Sequence, residues 1–258
     1  ALTPPTLRKA DSMELRKHFE TSGQWLFRWR SYLPAYLLLP LPWVLSDFHR
    51  PYGQHDIQEF WVLFCIAVTG LGLLIRAFVA GFVPRGTSGR NTKQQVATSR
   101  NTTGVYSLCR HPLYLGNFFV ALGWVLFFHN AWFISFYVMT FWLYYERIMM
   151  TEEAFLREKF GDEFLTWADR TSAFLPNIKN WKQPVLRFSF RTIIRREYLT
   201  FVGAMLVFVI LELIEHGQID GKFLLEPLWI ALAAVTGLVF ITVRSLHKFT
   251  SLLVEEGR

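Results

Sequence analysis

The chain has 258 residues, of which 52% are hydrophobic and 18% are charged, and its formal net charge is +7. A soluble domain of this length carries more charge, and here the apolar residues come in blocks rather than in amphipathic patterns, so the composition predicts an integral membrane protein. The basic charge fits cytoplasmic loops beside an anionic membrane surface better than it fits nucleic acid as a partner.

Six apolar segments follow one another along the chain, and we predict an all-α, polytopic membrane helix bundle with about six transmembrane helices. The segments cover residues 32–45, 60–83, 113–128, 132–149, 199–213 and 227–243. The first is short and is interrupted by prolines, so a kinked or tilted helix is expected there. Only three residues separate the third segment from the fourth, which predicts a tight helical hairpin.

The distribution of Lys and Arg predicts which ends of these helices face the cytoplasm. Residues 84–112 carry five Lys or Arg and no acidic residue, and residues 151–197 are also rich in both basic types, whereas residues 47–59 and 215–226 carry one each. The positive-inside rule therefore places both termini and the two basic segments in the cytoplasm. The expected localisation is a bacterial inner membrane, with an active site that faces the cytoplasm.

The chain contains two cysteines, Cys65 and Cys109, and seven scattered histidines. Neither residue type has the spacing of a zinc site or of a disulfide framework, so no metal is expected. The first thirty residues are polar and mixed in charge, and no cleavable signal peptide is predicted there.

Two groups of polar residues flank the predicted hairpin, and its antiparallel helices return both groups to one membrane face. The first group contains Tyr106, Arg110, His111, Tyr114 and Asn117, and the second contains Glu152, Glu153 and the residues up to 176. Ionisable side chains at such an interface indicate a functional site. We therefore expect the imidazole and a carboxylate to share one pocket that opens to the cytoplasm.

The residues around this hairpin resemble those of a known enzyme family. The chain reads RHPLYLGN at 110–117 and, after the hairpin, EEAFLREKFGDEFLTWADRTSAFLP at 152–176. This order is similar to that of the isoprenylcysteine carboxyl methyltransferase family and of the related bacterial phospholipid methyltransferases. The resemblance covers roughly residues 104–176 and implies an integral membrane methyltransferase that uses S-adenosyl-L-methionine.

The resemblance also implies roles for individual residues. It places the cofactor-binding residues at Tyr106, Arg110, His111, Pro112, Tyr114, Gly116, Asn117 and Glu152. The family's Arg before Leu-Pro corresponds to Arg170, which is linked to substrate orientation or catalysis. Here Thr171 and Ser172 follow this arginine and no proline comes before Pro176, so the chain departs from the family pattern at this turn.

With this resemblance, the chain divides into four predicted regions. They are a cytoplasmic N-terminal segment (1–31), a membrane methyltransferase core (32–176), a basic interfacial segment (177–196) and a C-terminal extension with two spans (197–258). The interfacial segment alternates basic and aromatic residues, which is typical of side chains that snorkel to the membrane surface or, alternatively, contact an anionic lipid headgroup.

The chemistry of methyl transfer assigns roles to the same residues. A Glu accepts hydrogen bonds from ribose hydroxyls or an amine, an Arg or His faces a carboxylate, and an aromatic ring stabilises a sulfonium by about 0.5–2 kcal/mol. An oxyanion acceptor needs no general base, and Arg170 then orients it. An amine acceptor needs one, and Glu153 or Glu163 is the expected base. Arg76, inside the second span, is expected to bind the substrate or to snorkel.

The preferred acceptor is a lipid phosphate or carboxylate that enters laterally from the bilayer. N-methylation of a phospholipid amine and carboxyl methylation of a prenylated cysteine are alternatives, and so is an NADPH-dependent sterol-type reductase with a similar HPxYxG stretch. Glu152-Glu153 and Lys159-Phe160-Gly161 stand where such a reductase has other motifs, which favours methyl transfer. A non-enzymatic membrane assembly or transport protein is the alternative from another class.

Overall fold

The computed structural model of the protein describes residues 22–30, 33–46, 48, 55–84, 100–255 and 257–258. Most of the predicted N-terminal segment therefore lies outside the described residues, and so do residues 85–99, which precede the first polar group. Within the described ranges the chain is helical and contains no strand, which confirms the predicted all-α class.

The helices follow the predicted apolar segments closely. They are α1 (residues 22–29), α2 (Leu41–Ser46), α3 (His55–Phe82), α4 (Val105–Leu108), α5 (Pro112–Leu126), α6 (Ala131–Ala168), α7 (Phe190–Ile219) and α8 (Pro227–Phe249), with 3-10 turns at Leu33–Leu38 and Ile178–Asn180. By length and composition, α3, α7 and α8 suffice to cross a membrane, while α5 and the stretch Ala35–Ser46 are shorter apolar helices. The integral membrane bundle is thus confirmed, and the count of six spans stays a prediction.

The predicted hairpin is formed by α5 and α6. Pro112 occupies the first turn of α5, where its missing N–H costs no hydrogen bond, and His111 lies just outside that turn. A four-residue connection, 127–130, joins the two helices, and the side chain of Asn130 caps α6 by accepting from the backbone N–H of Phe133. The polar residues before α5 are therefore fixed at the open end of the hairpin.

The helices α3 and α5 approach each other through glycines. A Cβ atom added at Gly72 would lie 2.5 Å from the carbonyl oxygen of Gly116, and one added at Gly116 would lie 2.5 Å from Cγ of Arg76. Thr69 adds a hydrogen bond of 3.0 Å across the same contact, to the carbonyl of Val120. Small residues permit this separation, which is typical of helix pairs in membranes.

The long helix α6 does not run straight to its end. Its backbone leaves helical geometry at Gly161, where φ is 51° and ψ is −132°. One guanidinium, that of Arg110, contacts both Glu153 and the carbonyl of Ala168. These two residues would be about 22 Å apart in a straight helix. The chain therefore folds back at Gly161. The positive φ at this position favours glycine, which explains the glycine of the Phe160-Gly161 pair.

The segment that follows α6 returns along the residues that precede α5. The backbone N–H groups of Arg110 and His111 donate to the carbonyls of Ser172 and Ala173 at 2.9 and 3.0 Å. Farther along, the N–H of Asn177 donates to Leu108, and the chain is bridged at Gly104 and Lys182. We call residues 172–182 the return segment. Its antiparallel pairing with the residues before α5 fixes the backbone that carries Arg110 and His111.

Substitution of the glycine at the fold-back tests its backbone geometry. Gly161→Ala is expected to lower the melting temperature of the detergent-solubilised protein, because a non-glycine residue at this positive φ costs about 1–3 kcal/mol. Gly237→Ala in α8 is the matched control, since an added Cβ meets no atom within 4 Å at either position. Equal melting temperatures for the two variants in differential scanning fluorimetry would contradict the fold-back.

Candidate active site

The two polar groups that flank the hairpin meet at its open end. His111 Nε2 lies 3.0 Å from Glu153 Oε1, and His111 Nδ1 lies 3.5 Å from Glu152 Oε2. The imidazole is buried, with a side-chain exposure of 7%, so it contacts both carboxylates away from bulk water. An imidazole before the hairpin and two carboxylates after it therefore form one site.

Arg110 fixes Glu153 and the end of α6 at the same time. Its Nε and Nη2 atoms bind the two oxygens of Glu153 at 2.8 and 3.2 Å, and its Nη1 donates to the carbonyls of Ala168 and Thr171 at 2.6 and 2.7 Å. A bidentate arginine–carboxylate pair is both strong and directional. With these four contacts Arg110 connects Glu153 to the backbone at the end of α6. Its predicted role in cofactor binding stays a prediction.

The electrostatics of the site favour an ionised His111–Glu153 pair. Burial lowers the pKa of His111, but the hydrogen bonds and charges of Glu152 and Glu153 outweigh this, so the pKa lies above its ordinary value of 6.5. Burial raises the pKa of Glu153, but His111 and Arg110 outweigh this, so that pKa lies below its ordinary value of 4.5. At neutral pH the pair is therefore stabilised in its charged form.

Glu152 faces a different set of partners. The hydroxyl of Tyr114 donates to Glu152 Oε1 at 2.6 Å, and Arg30 Nη1 lies 3.5 Å from the same oxygen. Arg30 follows α1 and also stacks over the ring of Phe27, at 4.1 Å from its centroid. No sequence motif links Arg30 to the hairpin, so the sequence did not predict its contact with Glu152.

Aromatic rings lie beside these carboxylates. The ring of Tyr114 is 5.7 Å from the His111 ring and 4.7 Å from that of Tyr145. Tyr144 is buried next to Tyr145, and its hydroxyl has no hydrogen-bond partner among the described residues. An unpaired buried hydroxyl, such as that of Tyr144, is costly unless a bound molecule satisfies it. Burial and the charge of Glu152 raise the pKa of Tyr106 above its ordinary value, so this phenol stays protonated.

A second network lies next to the first. Arg76 of α3 donates to the side-chain oxygen of Asn117 on α5 and, at 2.8 Å, to Glu197 Oε2 on α7. The amide of Asn117 donates in turn to the hydroxyl of Tyr145 at 3.2 Å. The structure pairs Arg76 with Glu197, a partner that the sequence did not predict. The predicted role of Arg76 in substrate binding stays a prediction.

The structure places the remaining predicted site residues elsewhere. Pro112 is buried in the first turn of α5, and Gly116 packs against α3. Arg170 is exposed beyond the end of α6, and its carbonyl accepts a hydrogen bond from Asn180. Glu163 is 79% exposed and lies 3.4 Å from Arg100. Among the described residues, neither Arg170 nor Glu163 forms a hydrogen bond or an ion pair with His111 or Glu152, and the predicted roles of all four residues stay predictions.

No group of three or more His, Cys, Asp or Glu residues with the geometry to hold a metal ion occurs among the residues that the structure describes.

Comparison with known proteins identifies the class of this site. A family model described as phospholipid methyltransferase matches residues 86–163. The protein-S-isoprenylcysteine O-methyltransferase of Mus musculus is 29% identical over 123 residues, which cover 45% of this chain and 44% of the mouse protein. The enzyme of the same name from Saccharomyces cerevisiae is 26% identical over 155 residues, 58% of this chain and 64% of the yeast protein.

A further relative carries a different name. The nickel-cobalt-cadmium resistance protein NccN of Alcaligenes xylosoxydans xylosoxydans is 26% identical over 179 residues, which cover 68% of this chain and 81% of that protein. No solved structure matches the chain.

These likenesses confirm the predicted resemblance to the isoprenylcysteine and phospholipid methyltransferase family. Residues 86–163, which match the phospholipid methyltransferase model, include α5, most of α6 and the residues Arg110, His111, Glu152 and Glu153. The predicted enzyme class, a membrane methyltransferase, is confirmed with it. The chain spans less than half of the mouse enzyme and 64% of the yeast enzyme, and α7 and α8 lie outside the matched region.

The partly buried pair of Arg110 and Glu153 is open to a direct test of stability. Glu153→Gln is expected to cost about 3 kcal/mol of unfolding free energy, because it leaves a guanidinium that is only 17% exposed without its counter-charge. Glu163→Gln is the control, and it is expected to change stability by less than about 0.5 kcal/mol, since exposed pairs contribute little. Denaturant unfolding of both variants in the same detergent compares them, and a similar loss for both would contradict the architectural role of Glu153.

The raised pKa of His111 predicts a pH dependence of stability with a definite sign. The protonated imidazole stabilises the folded state fully below its ordinary pKa of 6.5, and this contribution is lost as the pH rises through the higher folded pKa. The lowered pKa of Glu153 acts in the opposite direction, so its contribution is lost only when the pH falls below 4.5. The melting temperatures of wild type and His111→Gln are therefore expected to converge as the pH rises above 6.5. A difference that stays constant as the pH rises would refute the protonated pair.

Proposed function

We propose that the protein transfers a methyl group from S-adenosyl-L-methionine to a membrane-embedded amphiphile, and that the acceptor is an oxyanion of a lipid, a phosphate or a carboxylate. The observation that carries this proposal is the contact of His111 with Glu152 and Glu153 at the open end of the hairpin. The site combines cationic, anionic and aromatic groups. The methyl donor has a carboxylate, an amine and a sulfonium that complement them.

The side chains around Glu152 suit such a donor. Protonated His111 and Arg30 are available to pair with its carboxylate, and Glu152 is able to accept from its amine or its ribose hydroxyls. The unpaired hydroxyl of Tyr144 offers a further hydrogen bond, and the faces of Tyr114 and Tyr145 are suited to a sulfonium cation. S-adenosyl-L-methionine supplies an electrophilic methyl group there. The protein contributes alignment and exclusion of water, which are worth roughly 7–11 kcal/mol in well-oriented reactions.

The state of the carboxylates favours an acceptor that arrives already ionised. Glu153 is held by Arg110 and His111, and its pKa is lowered, so it is a weak proton acceptor. Glu163, the other predicted base, is largely exposed and paired with Arg100. An oxyanion needs no base, whereas an amine acceptor does. We assign the exposed Arg170 to the orientation of the anionic headgroup.

The membrane completes the proposal. An acceptor that is a lipid or a lipidated protein enters from the bilayer between the apolar helices, and the water-soluble donor enters from the other side of the interface. We assign the site to the cytoplasmic face of a bacterial inner membrane. The excess of Lys and Arg in the segments that flank the site supports the cytoplasmic orientation.

Ligand-dependent thermal shifts test the donor. S-adenosylhomocysteine is expected to raise the melting temperature of the purified protein in detergent, because a ligand that binds only the folded state stabilises it. NADPH is expected to have no effect. Glu152→Gln is expected to weaken S-adenosylhomocysteine binding about 10- to 100-fold, the equivalent of one charged hydrogen bond, whereas Glu163→Gln is expected to bind like wild type. Stabilisation by NADPH alone would favour the reductase, and no response to either ligand would favour a non-enzymatic protein.

Methyl transfer in the membrane tests the acceptor. Membranes that contain the protein are incubated with S-adenosyl-L-methionine carrying a deuterated methyl group, and their lipids are analysed by mass spectrometry. The expected product is a lipid that has gained one labelled methyl on a phosphate or carboxylate oxygen. Label on a headgroup amine or on a prenylcysteine would replace the proposed acceptor by that alternative. No labelled product in membranes with active wild-type protein would overturn methyl transfer to an amphiphile.

A further inference from the structure

An ion pair joins the first helix of the C-terminal extension to α3. Arg76 of α3 and Glu197 of α7 are 2.8 Å apart, and their side chains are only 13% and 14% exposed. Arg76 also donates to Thr200, one turn further along α7, at 3.4 Å. An ion pair between two mostly apolar helices is costly to break, because either partner alone would be buried without its counter-charge.

The same arginine contacts a helix that carries the site. Its Nη1 donates to the side-chain oxygen of Asn117, two turns of α5 beyond His111 and one turn beyond Tyr114. This contact determines the orientation of the Asn117 amide, because the oxygen accepts from Arg76 and the nitrogen is left to donate. The nitrogen donates to the hydroxyl of Tyr145 on α6 at 3.2 Å.

Tyr145 extends this network to the site. Its ring lies 4.7 Å from that of Tyr114, whose hydroxyl donates to Glu152 at 2.6 Å. Each step from Glu197 to Glu152 is thus a hydrogen bond, an ion pair or a ring contact between named atoms or rings. The steps cross four helices, α7, α3, α5 and α6, and the arginine is the member that holds three of them together.

We propose that Glu197 is a positioning residue of the active site, which acts through Arg76 and Asn117 on the tyrosines beside Glu152. The inference rests on the proposed function, since it concerns the binding of the same methyl donor. It assigns a role to the C-terminal extension, which lies outside the matched family region. The extension supplies a charge on which the orientation of Asn117 depends, in addition to two further spans.

The chemistry of Arg76 explains why one residue carries this role. A guanidinium presents several N–H groups in a fixed plane, so it binds a carboxylate, an amide oxygen and a hydroxyl at once. A lysine has one nitrogen and keeps the charge without this geometry. Loss of the Glu197 carboxylate leaves Arg76 with Asn117 and Thr200 alone, and the arginine then moves towards another anion or towards water.

The test compares two buried carboxylates of the same helix. Glu197→Gln removes the proposed positioning charge, and Glu215→Gln removes a carboxylate that binds Gln58, away from the site. Both variants are expected to lower the melting temperature in detergent. Only Glu197→Gln is expected to weaken the binding of S-adenosylhomocysteine, by about tenfold. A loss of this size is typical for residues that orient the ligand-binding side chains without touching the ligand. Isothermal titration calorimetry measures the dissociation constants.

Two further variants keep the inference testable if Glu197→Gln fails to fold. Arg76→Lys retains the positive charge but loses the planar arrangement of several N–H donors. It is expected to weaken the binding of S-adenosylhomocysteine to a similar degree. Glu197→Asp keeps the carboxylate, and it is expected to restore most of the affinity.

The outcomes separate this inference from the proposed function. If wild type binds no S-adenosylhomocysteine, the proposed function falls, and the inference falls with it. If wild type binds and folded Glu197→Gln and Arg76→Lys bind equally well, the inference alone is wrong. A tenfold loss in Glu215→Gln as well would also overturn it, because the effect would then follow stability rather than position.

Discussion

The pairing of Arg110 with Glu153 holds three separate parts of the chain at one point. The arginine precedes the hairpin, the carboxylate lies in the second half of α6, and the same guanidinium donates to two carbonyls at and just beyond the end of α6. This is possible only because the backbone reverses at Gly161. The remaining features of the site, including the contact of His111 with both carboxylates and the pairing of the return segment, are arranged around this fixed charge.

The adjacent carboxylates of Glu152 and Glu153 have different environments and therefore different uses. Glu153 is saturated by Arg110 and His111 and serves the architecture. Glu152 faces Tyr114 and Arg30, closer to the aromatic rings, and is the better candidate for a ligand contact. Because His111 lies between them, its positive charge belongs to both. A site with both a positive and a negative group can bind a zwitterionic ligand without a large change in its own net charge.

The sequence predicted the parts of the fold that depend on local pattern. Apolar segments of sufficient length gave the helices, and the short connection between two of them was enough to bring His111 and Glu152 together, because antiparallel helices return to one face. The pairs Arg30–Glu152 and Arg76–Glu197 were not predicted, since contacts between residues more than a hundred positions apart leave no periodic signal. The reversal at Gly161 was also missed: the Phe-Gly motif was visible, but a backbone dihedral is not.

The ion pair between α3 and α7 has a consequence for the way the protein is made. Glu197 follows Arg76 by 121 residues, so a ribosome delivers the arginine to the membrane long before its partner exists. A lone arginine in the middle of a span costs about 2.5–3.5 kcal/mol on insertion. Arg76 stands six residues before the end of α3, from where its long side chain reaches the headgroups in the meantime. Its pair with Glu197 forms only after α7 has been made, so this contact between α3 and α7 belongs to a late stage of assembly.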